Sequence, residues 1–269
     1  MNKVKISFCL FLFCLSFIYI FFNIKNINLF DFFTSDNMGG YILNTAFDFS
    51  DEDLDLSNLE MVDQNTNVSS SYLVYFYNTH QTEEYASDVY NIVPTVVTVS
   101  EMLEESLRER GISSLVEDGS IKKGLDKYNY DYSGSYSISM MYLKNKKKLY
   151  PTIKYFFDIH RDSVKGKYSR TVIDGKKYAK IMFLVGMNHS NYKKNVNNIK
   201  IMEDYLNKHY NGILRDTYYQ KLYAYNQEYD SNMFLIEVGG VDNTLEELYN
   251  TSIALSDAIN YYVRGEYEK

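Results

Sequence analysis

Apolar residues in this chain fall into two kinds of segment. Some form short unbroken runs, the pattern of strands covered on both faces, and others recur every three or four positions, the pattern of helices with one buried face. Residues 72–77 predict the first strand. Thr98-Val-Ser-Glu101 has the form of a capping box, Met102, Leu103 and Leu107 continue at helical spacing, and Gly111 ends the helix. A short strand over 112–116 follows, so strand, helix and strand make a βαβ unit. Residues 132–147 predict a second helix with a lysine-rich end, read as a solvated helix terminus. Strands follow over 153–159, running into His160, and over 179–187. A polar-faced helix then spans 192–210, and a strand covers 233–238. Asn243-Thr-Leu-Glu246 reads as a second capping box, after which Leu245, Leu248, Leu255, Ile259 and Tyr262 form one stripe that should pack on the sheet. The expected architecture is a three-layer α/β domain over residues 66–269, with a mostly parallel or mixed sheet of five to six strands and helices on both faces.

The first part of the chain follows other rules. Lys3 and Lys5 precede an apolar run over 6–22, and Asp31 and Asp36 follow it. That length and charge order predict one transmembrane helix, a membrane anchor over 1–24 with its N-terminus in the cytoplasm and the catalytic domain outside the cell membrane. A cleaved signal peptide is the competing reading, but bulky Tyr19-Ile-Phe-Phe22 offers no small-residue cleavage site. Residues 25–65 are rich in Asp, Asn and Ser and read as an acidic polar linker.

Composition narrows the chemistry. Both cysteines, Cys9 and Cys14, lie in the apolar run, so the rest of the chain has neither disulfides nor thiolate ligands. Any metal there must be held by His, Asp or Glu. The net charge of −7 argues against nucleic acid as a partner and against simple attraction to anionic lipids or wall polymers. No Gly-x-Ser-x-Gly elbow is present, which disfavours a serine hydrolase.

Three predicted strands end on metal-binding or acid–base side chains. The first delivers Thr79, His80, Glu83 and Glu84, the third His160 flanked by Arg161 and Asp162, and the last Glu237. His-x-x-Glu is a spacing that zinc hydrolases use, and the carboxyl edge of an α/β sheet is where sites form. His80, Glu83 and His160 are the expected metal ligands, with Glu84 the alternative to Glu83. Glu237 interrupts an apolar strand, where an unpaired charge is costly, and is the candidate catalytic base. Arg161 could hold a substrate carboxylate or the developing oxyanion, and Asp162 could orient a ligand imidazole. For both, a surface ion pair is the plain alternative. His189 could line the cleft, and His209 reads as structural.

These stretches also resemble a known family. Thr79-His80-Gln-Thr-Glu83, Phe157-Asp-Ile-His160-Arg-Asp-Ser163, Val185-Gly-Met-Asn188 with Asn191-Tyr-Lys-Lys-Asn195, Tyr225-Asn-Gln227, and Leu235-Ile-Glu237-Val-Gly-Gly-Val-Asp-Asn243 are similar, in order and spacing, to stage II sporulation protein P. The likeness covers about residues 72–262. It implies an amidase-like fold related to zinc-dependent N-acetylmuramoyl-L-alanine amidases, with Zn2+ as cofactor and peptidoglycan as substrate. It implies cleavage of the amide between N-acetylmuramic acid and L-Ala, together with endopeptidase action on stem-peptide cross-links. It further implies work at the forespore engulfment septum, in a membrane complex with stage II sporulation proteins D and M. His80, Glu83, His160 and Glu237 fall on the motif positions for metal and catalysis. The wider amidase family takes its second ligand from a Glu just before the first helix. Here 92–97 has no acid, which favours Glu83. A non-catalytic peptidoglycan-binding module and a zinc peptidase acting on protein are the competing classes.

Overall fold

The computed structural model describes residues 71–87 and 91–268. The anchor over 1–24 and the linker over 25–65 lie outside them. Among the described residues no helix is long and apolar enough to cross a membrane.

In chain order the elements are β1 (Val74–Tyr77), α1 (Val96–Glu109), β2 (Ser114–Val116), α2 (Ile121–Tyr128), α3 (Ser135–Leu149) and β3 (Tyr155–Asp162). A single helical turn, Gly166–Ser169, leads to the hairpin β4 (Arg170–Ile173) and β5 (Lys176–Ala179). Then come β6 (Ile181–Gly186), α4 (Tyr192–His209), β7 (Tyr218–Gln220), β8 (Met233–Gly240) and α5 (Leu245–Val263). Six strands form one sheet in the order β2-β1-β3-β8-β6-β7. The sheet is mixed: β6 and β8 run antiparallel, and the other pairs are parallel.

Alternation along the strands sorts the core into two layers, because successive side chains leave opposite faces. Val74, Phe76, Phe157, Ile159, Phe234 and Ile236 face the helices α1, α4 and α5, which bury Leu103, Met202 and Leu255 against them. Tyr75, Tyr77, Phe156 and Met233 face the other way and meet Leu143 of α3. Phe157 stacks on Phe234 with centroids 5.0 Å apart, at the centre of the sheet. Phe157→Ala should cost about 3–5 kcal/mol through lost burial and a residual cavity.

Several element ends differ from the sequence expectation. The first helix begins at Val96, with Thr95 as its cap and Thr98 Oγ1 accepting the Thr95 amide at 3.2 Å. Thr98 is therefore the third helical residue and not the cap. The second capping box is shifted by one, to Thr244 and Glu247, where the first moved by three. Asn243 instead accepts the Gly240 amide at 2.7 Å, closing the turn out of β8. Gly111 does end α1, at φ +71°, a conformation that suits a residue without Cβ. The predicted strand over 179–187 divides at Lys180, because Ala179 belongs to the hairpin and Ile181 to the main sheet.

Candidate active site

The site sits on the α3 side of the sheet, where β1, β3 and β8 reach their carboxyl ends. His160 and Glu237 are register partners on neighbouring strands. His160 lies inside β3 and not after it, so the strand itself fixes the direction of its ring. His80 and Glu83 lie on the turn after β1. That turn is closed by Glu83 N–H donating to the His80 carbonyl at 3.1 Å and is tied to α1 by Val96 N–H donating to the Glu83 carbonyl at 3.1 Å. Gln81 bridges to the Gly119 carbonyl and the Ile121 amide, and buried Asn78 donates to the carbonyls of Ile159 and Val96. A loop held on both sides in this way can carry a site with strand-like precision.

The side chains converge on Glu83. Its Oε1 lies 3.6 Å from His80 Nδ1 and its Oε2 3.5 Å from His160 Nδ1. One ligand atom from each of His80, Glu83 and His160 falls within 4.8 Å of the others. Neighbouring ligands of a tetrahedral zinc ion stand about 3.3 Å apart, given metal–ligand bonds of about 2.0–2.1 Å. The two measured separations therefore suit such an ion. Two imidazoles and one carboxylate, with no thiolate, also form the donor set of a catalytic site and not of a closed structural one. Glu84 is exposed, and its backbone bridges to Thr95 away from the cluster.

Charge at the cluster is consistent with a cation. Burial pushes Glu83 up, but the neighbouring His160 and His80 imidazoles and a hydrogen bond from the Arg161 amide bring its pKa down to about 2. Burial by itself would discharge His160, yet Asp158 and Glu83 hold its pKa well above the usual histidine value. The surrounding carboxylates thus demand positive charge, which a divalent ion can supply in place of the proton. Glu237 has the opposite character. Burial drives its pKa up to about 7, opposed by His160 and reinforced by Glu83, Asp162 and Asp158. Its Oε2 is sealed from solvent without a hydrogen-bond partner.

One sequence assignment changes here. Asp162 does not orient His160. Its carboxylate takes a hydrogen bond from Arg215 at 2.6 Å, which is the ion-pair alternative. The residue beside His160 is Asp158, fully buried, with its Oδ1 3.0 Å from His160 Nε2. Thr79 fixes that carboxylate through its amide at 2.9 Å and its hydroxyl at 2.7 Å. The signal was in the sequence, since a strand residue two before His160 must share its face. The Arg161 amide donates to Glu83 Oε2 at 2.9 Å, and its guanidinium donates to the Asp162 carbonyl at 3.2 Å. Tyr136 was also missed: its ring stacks over His160 with centroids 6.4 Å apart. His189 is no part of the cluster, and His209 stacks on Tyr205 at 4.4 Å, a packing role.

Comparison with known proteins adds to this geometry. The family model described as Stage II sporulation protein P matches residues 43–260. A curated relative, stage II sporulation protein P of Bacillus subtilis (strain 168), is 29% identical over 201 residues, covering 70% of this chain and 50% of the relative. The chain thus spans about half the length of that relative. Among solved structures, similarity is found to the CwlD amidase from Clostridioides difficile in complex with the GerS lipoprotein, at 14% identity and a TM-score of 0.45 over 73% of this chain and 98% of that one. The N-acetylmuramoyl-L-alanine amidase AmiC2 of Nostoc punctiforme gives 12% identity and a TM-score of 0.41 over the same shares.

Proposed function

This chain belongs to the stage II sporulation protein P family, and on that premise we propose that it is a zinc-dependent cell-wall hydrolase. Its substrate is the amide between N-acetylmuramic acid and the L-Ala of the stem peptide, and it also cleaves cross-links between stem peptides. The observation that carries the reading is the convergence of His80, Glu83 and His160 within 4.8 Å, with Glu237 on the adjoining strand.

His80, Glu83 and His160 would hold the zinc ion, which supplies Lewis acidity to the reaction. The remaining work falls to the chain. Glu237, with a pKa near neutrality, takes a proton from the attacking water and returns it to the leaving amine. Arg161 supplies positive charge to the oxyanion that develops on the carbonyl, from a guanidinium whose Nε is free of hydrogen bonds. Asp158 sets a negative charge 3.0 Å from His160 Nε2, and the Arg161 amide fixes Glu83. In the cell the domain would act outside the membrane at the engulfment septum, tethered by residues 1–24 and working with stage II sporulation proteins D and M.

Digestion of purified sacculi with the full chain, followed by mass spectrometry of the soluble products, tests the reading. Free stem peptides with an L-Ala amino terminus are the expected product. Sacculi left intact, with the protein still bound, would instead mark a binding module. Intact sacculi together with cleavage of an unfolded protein would mark a peptidase acting on protein.

A further inference from the structure

A row of aromatic rings crosses the site. Tyr132 stacks on His80 at 5.0 Å, and Tyr136 meets His80 edge-on at 5.6 Å. Tyr225 meets Tyr136 at 5.4 Å, and Tyr223 meets Tyr225 at 5.8 Å. Both ends open to solvent, with Tyr132 57% and Tyr223 59% exposed. Leu222, 72% exposed, extends the apolar surface beyond Tyr223. Large exposed apolar side chains gathered at a polar site mark a contact surface, whereas single scattered ones do not.

The Tyr223 end is held in place from several sides. Tyr225 and Asn226 both have left-handed backbone, at φ 54° and 64°. A tyrosine keeps that conformation only where its surroundings impose it. The buried Asn226 amide donates to the Tyr136 carbonyl at 3.1 Å and to Ser139 Oγ at 3.0 Å. Buried Gln227 donates to the Leu184 carbonyl at 2.8 Å and accepts the Gly186 amide at 3.0 Å. Gly186 lets the loop close on β6, since a Cβ there would stand 2.4 Å from the Ala224 carbonyl oxygen. These anchors join the loop to both α3 and β6, and what they present is the Tyr225 ring.

We infer that this row is the sugar-binding surface of the site, taking the glycan strand and not the stem peptide. The inference rests on the peptidoglycan reading above and names the part of that substrate the protein grips. A tyrosine presents an apolar face with a polar tip. A pyranose ring presents the complement, a face of C–H groups rimmed by hydroxyl and acetamido groups. A stem peptide offers small side chains, carboxylates and the amine that forms cross-links, and gripping it calls for charged partners or a free strand edge. Neutral phenol rings provide neither, and the net charge of −7 works against the carboxylates. The row passes over His80 and His160, so a strand lying along it would bring its peptide-bearing sugar to the ligand cluster.

The test measures binding of the full chain to peptide-free glycan strands, which contain no scissile amide, and to isolated stem peptide. Wild type should bind the glycan and ignore the peptide. Tyr223→Ala should weaken glycan binding about fivefold to tenfold, Tyr223→Phe should keep most of it, and Tyr128→Ala, on an exposed ring of α2, should leave it unchanged. Tyr223 is exposed, so melting curves of these variants should superimpose. Glycan binding unaffected by Tyr223→Ala, or binding of the stem peptide alone, overturns the inference. Peptide release from sacculi, measured on the same samples, separates the two ideas. Tyr223-dependent glycan binding without release sinks the proposed reaction and leaves the surface standing, and release with Tyr223-independent binding does the reverse.

Discussion

Glu237 and Glu247 lie close in sequence, and both are shielded from water, yet the protein treats them in opposite ways. Glu247 is fully partnered: Arg170 Nε, the Thr244 amide at 2.9 Å and Asn243 Nδ2 at 2.9 Å all donate to it. Burial raises its pKa, but the Arg170 and Thr244 hydrogen bonds outweigh burial and leave it lowered. Glu237 has an orphaned Oε2 and a pKa pushed up to about 7 by burial. A carboxylate that serves structure is supplied with every partner it can use. One left short costs stability, and proteins accept that cost where the group has a task. The difference separates a capping residue of α5 from a catalytic base on β8.

The largest expected effect breaks the comparison at its functional end. Glu237→Gln keeps the shape of the side chain and removes its ability to accept a proton. Sacculus digestion should slow by about 10²–10⁴-fold, while zinc content and melting temperature hold, because no hydrogen bond to Oε2 is lost. A well-folded Glu237→Gln protein with wild-type rates would end the mechanism. The structural end should respond in reverse. Glu247→Ala strands Arg170 and removes the reciprocal half of the α5 capping box at a cost of about 2–3 kcal/mol. For a domain of this size that lowers the melting temperature by roughly 4–12 °C. Activity per folded molecule, measured well below the transition, should be unchanged. A loss of rate without a loss of stability would mean the two residues had been assigned the wrong way round.

Asp158 sharpens the contrast because it belongs to both classes. Thr79 satisfies it as a structural carboxylate, and it faces His160 as an orienting one. Asp158→Asn can keep a contact to Thr79 and loses the charge beside the imidazole. Chelator competition should show zinc affinity lower by about 10–100-fold, with the fold retained by circular dichroism. Unchanged zinc affinity would remove Asp158 from the site.

How much of this was legible in the sequence depended on the kind of signal. Long periodic segments such as the stripe Leu248–Leu255–Ile259 and the buried runs of β3 and β8 were readable, because burial on a fixed period leaves a mark in composition. His80, Glu83 and His160, singled out in the sequence by their strand context, are brought together by the fold, although His160 and Glu237 lie inside β3 and β8 and not at their ends. Helix α2 left almost no trace, since Ile121 and Leu125 are its only buried apolar residues. The hairpin β4–β5 was passed over although Asp174-Gly175, at φ 49° and 80°, is the standard two-residue turn signal. The second capping box was displaced because two polar residues at adjacent positions can each serve as the cap, and tertiary contacts decide between them. Asn243 shows this, as its side chain closes the Gly240 turn and leaves Thr244 to cap. The ring row was hidden because Tyr132, Tyr136, Tyr223 and Tyr225 come from distant segments and meet only in the fold.

The smallest predicted effect follows from proton linkage at Glu247. Its folded pKa is depressed, first against the opposing effect of burial, by Arg170 and the Thr244 amide. A depressed carboxyl stabilises the fold above its unfolded value, about 4.3, and that contribution is lost as pH falls through the folded value. Glu247→Gln retains the reach of a capping box but cannot ionise, so it lacks the charge-dependent part at every pH. Melting temperatures of wild type and Glu247→Gln should therefore differ at pH 7, with wild type higher, and converge as pH is lowered below about 4. Because Glu247 is bonded to Arg170, Asn243 and Thr244 and to none of the ligand cluster, the convergence should appear equally with and without added zinc. A gap that stays constant down to pH 3 would mean that Arg170 and Glu247 stabilise the fold by packing and not by charge. Glu247 would then no longer serve as the paired counterpart of Glu237.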